Sequence, residues 1–302
     1  MSEKRVRPKR LTLLHVDTPV KADELDLPCS SPLLAVSLPS LSVYADFRVL
    51  SAIWSRKGRT DAECRSDLFR TIVSFRRKCA GIGVPSSRVP LSVEDLRLIG
   101  NDPTAVDSLA AAGVVSVIPF WRGENALGGA WDTDVGLSGF GRTVIKRCFG
   151  LGLVPDISHA SRRSSDEILS MGETLGRPVI ASHVGFDRLR PHGRNLTDRD
   201  AGRIADLGGI IGITFHAPHL SPDRRVGIGD AVSHLLYGSD RFPGAIALGS
   251  DFDGTDLLPS GLRSTDDLPA LAAALSDAGL GSPAIDALFY ENADRFFHRI
   301  GR

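Results

Sequence analysis

Two histidines stand at matching places in the middle of the chain. His159 ends the apolar run that begins at Leu153, and His183 ends the run that begins at Pro178. Such runs predict two buried strands, and the polar segment 161–173 between them predicts a crossover helix. In parallel α/β folds, active sites collect at the carboxyl ends of the strands. The spacing therefore predicts that His159 and His183 are a pair of metal ligands.

Further residues able to bind a metal occupy the same position in other predicted strands. Glu94 and Asp251 each end an apolar run, and the first run leads into His15 and Asp17, which share one face of a strand because they lie two residues apart. A lone histidine is more often structural than a ligand, but this agreement in position favours one common site. Imidazoles and carboxylates suit Zn²⁺ or a similar divalent ion. The set exceeds the needs of one tetrahedral ion, so we predict two ions bridged by a carboxylate, and metal-assisted hydrolysis as the reaction class.

The intervening sequence predicts the elements that would position these residues. Apolar runs that predict strands begin near residues 11, 42, 88, 114, 153, 178, 209 and 245. Helices are predicted over 60–79, 102–112, 136–149 and 197–206, and residues 18–40 are predicted to be irregular. Eight such units in about 250 residues predict an α/β fold, a (β/α)8 TIM barrel with the metal site at the C-terminal ends of its strands. An open doubly wound sheet is the alternative, because a strand count from sequence is uncertain by one or two.

The composition limits which classes of partner and which cellular compartment are expected. Lys plus Arg and Asp plus Glu each number 36, so the net charge gives no reason to expect nucleic acid or an anionic membrane as a partner. No apolar window is long enough to span a bilayer, and no apolar stretch follows the basic start as in a secretory signal. Cys29, Cys64, Cys79 and Cys148 lack CxxC spacing and are predicted to be reduced thiols in a cytoplasmic protein. With no interior linker, we predict one domain over residues 1–302, whose residues 1–10 form a disordered basic tail.

The motifs that contain these residues resemble those of one known family. They are HVDTP at 15–19, SVEDLRLI at 92–99, WRGENALGG at 121–129, GLSGFG at 136–141, DISHAS at 156–161, PVIASH at 178–183, HGRNLTD at 192–198, GGIIGI at 208–213, LGSDFDG at 248–254 and ENADRFF at 291–297. In this order and over nearly the whole chain, they resemble the membrane (renal-type) dipeptidase family of zinc metallopeptidases. The resemblance implies a barrel fold, two Zn²⁺ ions per chain and a dipeptidase.

The resemblance also implies a role for each site residue. His15 and Asp17 would hold one zinc, His159 and His183 the other, and Glu94 would bridge the two. Asp251 would be catalytic: it would orient the bridging hydroxide and move its proton to the leaving amine.

The segment HGRNLTD carries the implied substrate contacts. Arg194 would pair with the free α-carboxylate of a dipeptide, a bidentate task that suits guanidinium better than ammonium. Asn195, Trp121 and His192 are further candidate substrate contacts, although Trp121 is equally compatible with packing at the barrel rim and His192 with loop structure. The implied partner is a small dipeptide-like molecule, with no nucleic acid and no membrane, and a homodimer is compatible with the sequence.

The chain departs from the family pattern in two places. Asp95 and Leu96 stand where the family usually has two glycines, and Trp121 stands where the mammalian enzymes have a histidine. His216 and His219 are predicted to lie in a solvated loop, with a position in the lining of the substrate pocket as the alternative. Asp253 is predicted to be either a turn residue or a second polar contact in the site, and His234 and His298 to have no special role.

Two alternative functions remain open at this point. The same binuclear site would serve another small amide, such as a lactam, an N-acyl amino acid or a biosynthetic dipeptide conjugate. A catalytically silent barrel used as a binding subunit is the alternative from a different class.

Overall fold

Eight parallel strands form the centre of the computed structural model, which describes residues 7–54 and 58–302. The first six residues of the predicted tail lie outside the described residues, and its last residue, Arg10, already belongs to the first strand. The strands of the main sheet are β1 (Arg10–Val16), β2 (Asp46–Trp54), β3 (Leu91–Glu94), β4 (Val114–Ile118), β7 (Val154–Pro155), β8 (Ala181–Val184), β9 (Ile211–Ile213) and β10 (Ile246–Leu248), and a small hairpin contains β5 (Glu124–Asn125) and β6 (Gly128–Gly129). The sheet order is β7-β4-β3-β2-β1-β10-β9-β8.

The two edge strands of that order meet and close the sheet. The N–H of Ile180 donates to the carbonyl of Pro155 at 3.0 Å, and the N–H of Ile157 donates to the carbonyl of Ile180 at 2.9 Å. Asp156 and Ile180 accordingly form a parallel bridge. The predicted α/β barrel is confirmed, and the open-sheet alternative is wrong.

Helices cover the outside of the barrel. They are α1 (Thr18–Glu24), α2 (Asp61–Gly81), α3 (Val106–Ala111), α4 (Gly139–Gly150), α5 (Arg162–Leu175), α6 (Asp198–Asp206), α7 (Ala217–Leu220), α8 (Ile228–Arg241), α9 (Leu268–Asp277), α10 (Ser282–Asp286) and α11 (Asn292–Arg299). The predicted cap of α6 is confirmed, because the Thr197 hydroxyl accepts the N–H of Asp200. All four cysteines are buried, and no disulfide joins any two of them.

Three local predictions were wrong for identifiable reasons. Residues 18–24 are helical, since Pro19 fits the first turn of a helix. The strand predicted from residue 42 begins at Asp46, after a 3₁₀ turn over Leu38–Val43. The strand predicted from residue 88 begins at Leu91, because Pro90 has no N–H to donate to a ladder.

One end of the barrel is closed by α11. Phe296 and Phe297 pack against an apolar cluster to which seven of the eight strands, or the residues beside them, contribute one side chain each: Leu14, Leu50, Val115, Val154, Ile180, Ile210 and Ala247. The hydroxyl of Tyr290 donates to the Asp46 carboxylate at 2.6 Å, which ties this end to the start of β2. The carboxyl ends of the strands therefore face the opposite, open end.

His234 in α8 anchors the loop that follows β8. Its Nδ1 accepts the N–H of Phe186 at 2.9 Å, and its Nε2 lies 3.1 Å from the carbonyl of Leu220. Because a backbone N–H can only donate and a carbonyl can only accept, the ring is neutral with its proton on Nε2. Burial lowers the pKa of His234 below its usual value. The expectation that His234 has no special role was wrong, because it joins three segments.

We expect His234→Gln to lower the free energy of unfolding by about 1–3 kcal/mol at pH 7.5, the cost of a broken buried hydrogen bond. Since the pKa is lowered in the folded state, the unfolded chain takes up more protons as pH falls below about 6.5. The stabilisation is therefore complete above that pH and is lost below it, so the difference between wild type and variant should shrink at pH 5.5. Urea unfolding at both pH values measures it, with exposed His298→Gln as the control, and a constant difference would contradict this account.

Asp95 follows β3 and turns the chain away from the barrel mouth. Its φ of +65° lies in the left-handed region, which glycine adopts most readily and aspartate better than most residues. Its Oδ1 accepts the N–H of Arg97 at 3.2 Å and an amide N–H of Asn125 at 3.1 Å. Burial raises the pKa of Asp95 to about 6. Asp95 thus adopts a conformation that glycine favours and caps the following 3₁₀ turn with its side chain.

Asp95→Ala should destabilise the fold by roughly 2 kcal/mol, because alanine is strained in the left-handed conformation and leaves the turn uncapped. Asp95→Asn should cost far less, since asparagine tolerates this φ and retains an accepting Oδ1. Chemical unfolding of the two variants side by side tests the argument, and equal losses would contradict it.

Candidate metal centre and substrate cavity

The six residues predicted to form the metal centre meet at the open end of the barrel. His15 belongs to β1, Glu94 ends β3, and His183 belongs to β8. Asp17, His159 and Asp251 follow β1, β7 and β10 within a few residues. The strands thus bring together residues that lie up to 236 positions apart in the sequence, as expected when parallel strands end at one rim.

Distances within the cluster centre on His15 and Glu94. The Nε2 of His15 lies 3.2 Å from Glu94 Oε2, 3.4 Å from Asp17 Oδ2 and 4.0 Å from Asp251 Oδ1. The other oxygen of Glu94, Oε1, lies 3.0 Å from His159 Nε2. Glu94 therefore directs one oxygen toward His15 and the other toward His159, as a bridging carboxylate would.

The imidazole nitrogens that face the cluster have lone pairs to offer. His159 Nδ1 lies 2.7 Å from the carbonyl of Trp121, which can only accept, so Nδ1 carries the proton and Nε2 is bare. This Nε2 lies 3.0 Å from His183 Nε2. His15 Nε2 is buried and makes no hydrogen bond with the described residues. Imidazole nitrogens next to carboxylates form a donor set that fits a divalent metal ion. Burial opposes protonation of His15, but Asp17 and Glu94 raise its pKa well above the usual value, so an ion at Nε2 would displace a proton.

Two groups of ligand atoms are compact enough for an ion. His15, Glu94 and His183 form one group, and His15, Asp17 and Asp251 form the other. Within each group all the ligand atoms lie within 4.8 Å of one another. Both groups include His15 and neither includes His159, so the compactness of the ligand atoms does not by itself divide the ligands between two ions.

Burial and charge explain the protonation of the cluster. Burial is the main reason that the pKa values of His159 and His183 are lowered, which keeps both rings neutral as metal ligands must be. Burial opposes ionisation of Glu94, but the positive charge of His15, whose own pKa is raised well above the usual value, outweighs it and holds the pKa of Glu94 well below the usual range. Burial, together with the charges of Asp17 and Glu94, raises the pKa of Asp251 to about 8.

A cavity of about 240 Å³ opens over this cluster. All three tryptophans of the chain line it: Trp54, Trp121 and Trp131. The rings of Trp54 and Trp121 stack with their centroids 5.6 Å apart. Trp121 therefore both packs at the rim and faces the cavity, so the two interpretations of this residue are compatible.

His216 and His219 line the cavity as well, which corrects the expectation of a solvated loop. His216 immediately precedes the short helix α7, and His219 lies within it. The side chain of His219 is buried. His192 is not among the lining residues; it packs behind them, with its ring 5.2 Å from that of Trp131 and 4.8 Å from that of His219.

Arg194 lies in the wall of the cavity with its charge unpaired. Its Nη2 is 3.0 Å from His159 Nε2 and 3.4 Å from the carbonyl of His183, whereas its buried Nη1 has no partner in the described part of the chain. Burial lowers the pKa of Arg194 to about 10, so the group stays charged at neutral pH. No described carboxylate forms an ion pair with it.

Asn195 and His192 support Arg194 from outside the cavity. Asn195 accepts the N–H of Gly185 and donates to the carbonyls of Arg190 and His219, so its side chain is fully used by the backbone. His192 Nδ1 accepts the N–H of Arg194 at 3.1 Å. Asn195 and His192 therefore do not line the cavity, whereas the other two candidate substrate contacts, Arg194 and Trp121, do.

Sequence reasoning left open or missed three further residues. Asp253 is not among the residues that line the cavity. Its buried carboxylate accepts hydrogen bonds from Thr18, Ala35 and Val36 and lies 3.2 Å from Lys21 Nζ, so it is a structural residue that ties the loop after β10 to these segments. Trp54 ends β2 and could have been found by the strand-end rule if aromatic residues had been included. Gly254 has no such signal, but a Cβ there would lie 2.1 Å from Asp17 Oδ2.

Among the described residues, no helix has both the length and the apolar character needed to cross a bilayer.

Comparisons with known proteins agree with this geometry. Residues 85–301 match the model of the membrane dipeptidase family, peptidase family M19. A Klebsiella pneumoniae protein, described as an uncharacterized protein in the pqqA 5′ region, is 33% identical over 199 residues, which are 60% of this chain and 70% of that protein. An uncharacterized dipeptidase of Schizosaccharomyces pombe is 27% identical over 255 residues, 76% of this chain and 61% of the yeast protein.

Among solved structures, the fold is similar to that of a Rhodobacter sphaeroides metallopeptidase. The TM-score is 0.81 at 21% identity, over 97% of this chain and 100% of that one. That structure contains a phosphinate mimic of the dipeptide L-Ala-D-Ala. The family match covers more than half of the chain, and the fold and the cluster of ligands agree with it. The chain therefore belongs to peptidase family M19, the membrane dipeptidases, and is a hydrolase that acts on peptide bonds.

Proposed function

We propose that this chain is a zinc-dependent dipeptidase whose single domain hydrolyses a dipeptide, or a dipeptide-like amide, with a free carboxylate. Two Zn²⁺ ions would be held by His15, Asp17, Glu94, His159 and His183. One observation carries the proposal: a buried guanidinium without a counter-ion, that of Arg194, lies in the same cavity as the metal-ligand cluster. A substrate carboxylate would supply the missing charge and bring the amide next to the cluster.

Arg194 would fix one end of the substrate. Its unpartnered Nη1 is the free donor for a carboxylate oxygen, and the planar guanidinium suits a carboxylate better than an ammonium group does. Because Nη2 already contacts His159, the bound carboxylate would lie one side chain away from the reacting centre. Such orientation is a large part of what an enzyme can contribute to a hydrolysis.

Asp251 would handle the proton. When bound, the two zinc ions would supply a nucleophile from water at neutral pH and polarise the scissile carbonyl. Asp251 has a φ of +62°, and its N–H donates to the carbonyl of His15 at 3.1 Å, which locks the carboxylate beside the cluster. From Oδ1, Asp251 would accept a proton and deliver it to the leaving amine.

The comparisons support the substrate class. The Rhodobacter sphaeroides metallopeptidase of similar fold binds a dipeptide mimic, and the yeast relative is described as a dipeptidase. A cavity of about 240 Å³ lined by tryptophans and neutral imidazoles is in keeping with a small ligand.

Zinc content tests the metal centre. Wild-type protein, stripped with a chelator and dialysed against Zn²⁺, should retain two equivalents by elemental analysis. His159→Ala should retain about one equivalent, and its kcat/KM should fall by more than 100-fold. Loss of a mere hydrogen-bond partner of a metal ligand lowers metal affinity or activity by up to about 100-fold, so loss of the ligand itself should cost more. Exposed His298→Ala should behave like wild type. Less than one equivalent in wild type, or unchanged turnover in His159→Ala, would refute the proposal.

Arg194→Lys tests the carboxylate clamp. We expect kcat/KM for free dipeptides to fall roughly 10- to 100-fold, the value of one charged hydrogen bond. The same dipeptides with a C-terminal amide should be poor substrates for wild type and equally poor for the variant. L,L and L,D dipeptides, N-acyl amino acids and a lactam complete the panel, with zinc content checked for each protein. A variant that loses both amidated and free substrates to the same degree would contradict the assigned role.

A further inference from the structure

We propose that Ser182 is a positioning residue for the metal centre. It fixes with one hydroxyl oxygen the imidazoles of both His15 and His183, and a buried pair, Asp156 and Ser158, sets the direction of its hydrogen bond. The part of this inference that concerns zinc rests on the proposed function, whereas the assignment of tautomers depends only on hydrogen bonds within the chain.

The chain of hydrogen bonds begins at Asp156, which is fully buried. Its Oδ1 accepts the backbone N–H of Ser158 at 3.0 Å and that of Ser182 at 3.1 Å. Two main-chain donors fix this oxygen as an acceptor. The hydroxyl of Ser158, 2.6 Å away, must therefore donate its proton to Asp156.

That donation leaves Ser158 Oγ free only to accept. It accepts the backbone N–H of His183 at 3.2 Å and lies 3.3 Å from Ser182 Oγ. Because the proton of Ser158 is already used, the contact between the two hydroxyls has one direction: Ser182 donates to Ser158.

Ser182 Oγ consequently offers only lone pairs to its remaining neighbours. These are His183 Nδ1 at 2.9 Å and His15 Nδ1 at 3.4 Å. Both rings must therefore carry a proton on Nδ1. Burial lowers the pKa of His183, which leaves its Nε2 bare, whereas in His15 burial is outweighed by Asp17 and Glu94, which raise its pKa. The Nε2 of His15 is the atom that lies within 4.0 Å of three carboxylates.

The local backbone explains how one serine reaches both rings. Neighbours in a regular strand point to opposite faces, but the ladder between β8 and β9 shifts register between Ala181 and Val184. The centroids of the His15 and His183 rings lie only 3.8 Å apart, so a single oxygen can contact both Nδ1 atoms. Ser182 is fully buried, which excludes bulk water as a substitute acceptor.

Removal of the hydroxyl would free both rings to rotate or to change tautomer. Hydrogen-bond partners of metal-binding histidines typically contribute 10- to 100-fold to metal affinity. Because Ser182 contacts His15, which belongs to both compact groups of ligand atoms, its loss should weaken both zinc sites rather than one.

The first experiment measures zinc affinity of the stripped protein by competition with a chromophoric chelator. For Ser182→Ala we expect both dissociation constants to rise about 10- to 100-fold. Ser116→Ala is the matched control: Ser116 is a fully buried strand serine whose hydroxyl donates to Ser92 rather than to an imidazole, and its loss should change zinc affinity by less than about 3-fold. Unchanged affinity in Ser182→Ala, or weakening of one site alone, would overturn the inference.

The second experiment uses metal-free wild-type protein and remains decisive if the variant does not fold. Long-range ¹H–¹⁵N correlation spectra of the histidine rings should show His15 and His183 protonated at Nδ1. An Nδ1 without a proton in either ring would overturn the inference. A wild-type protein that binds no zinc but shows the Nδ1 tautomers would refute the proposed function and support the positioning role of Ser182.

Discussion

Three carboxylates buried around one imidazole nitrogen are the constraint on which the rest of this structure depends. Asp17, Glu94 and Asp251 all lie within 4.0 Å of His15 Nε2. Such a group repels itself strongly where water is excluded, unless a cation or a proton compensates. The raised pKa of Asp251, about 8, expresses this repulsion together with the cost of burial. The fold must therefore hold the three carboxylates together despite their mutual repulsion, and a bound divalent ion would reduce that repulsion.

The barrel meets this demand by fixing each ligand through the backbone. Closure between Pro155 and Ile180 brings β7 and β8, and with them His159 and His183, to the same rim. The apolar cluster under α11 fills the opposite end, so the charged residues are confined to the open one. Loops that carry site residues are tied by buried polar side chains, as His234 and Asn195 tie the segment that contains Arg194. The precision of the site thus comes from hydrogen bonds several residues away from it.

The sequence was sufficient to predict the barrel and to name the cluster, because the carboxyl ends of parallel strands converge whatever their exact lengths. It failed where a contact depended on the path of a loop. The position of His219 in the cavity wall depends on helix α7, which has only four residues and too weak a signal to predict. The contact of Ser182 with His183 was also out of reach, since the alternation of strand side chains predicts opposite faces for neighbours and a register shift breaks that rule. Asn195 has the residue type of a ligand contact, and only its three backbone partners identify it as a support.

Arg194 carries a buried positive charge that forms no ion pair within the described part of the chain. A buried guanidinium without a counter-ion costs free energy in the unliganded protein, and a bound carboxylate would return part of that cost as affinity. The charge of Arg194 cannot be neutralised by deprotonation at neutral pH, because its pKa remains about 10 even when buried. Glu94, Asp251 and Asp156 favour the charge of Arg194 from a distance, yet none of the described carboxylates forms an ion pair with it. An unpaired cation next to a self-repelling anionic cluster is therefore understood most simply as two halves of one binding site, in which a metal neutralises the carboxylates and a substrate carboxylate neutralises the arginine.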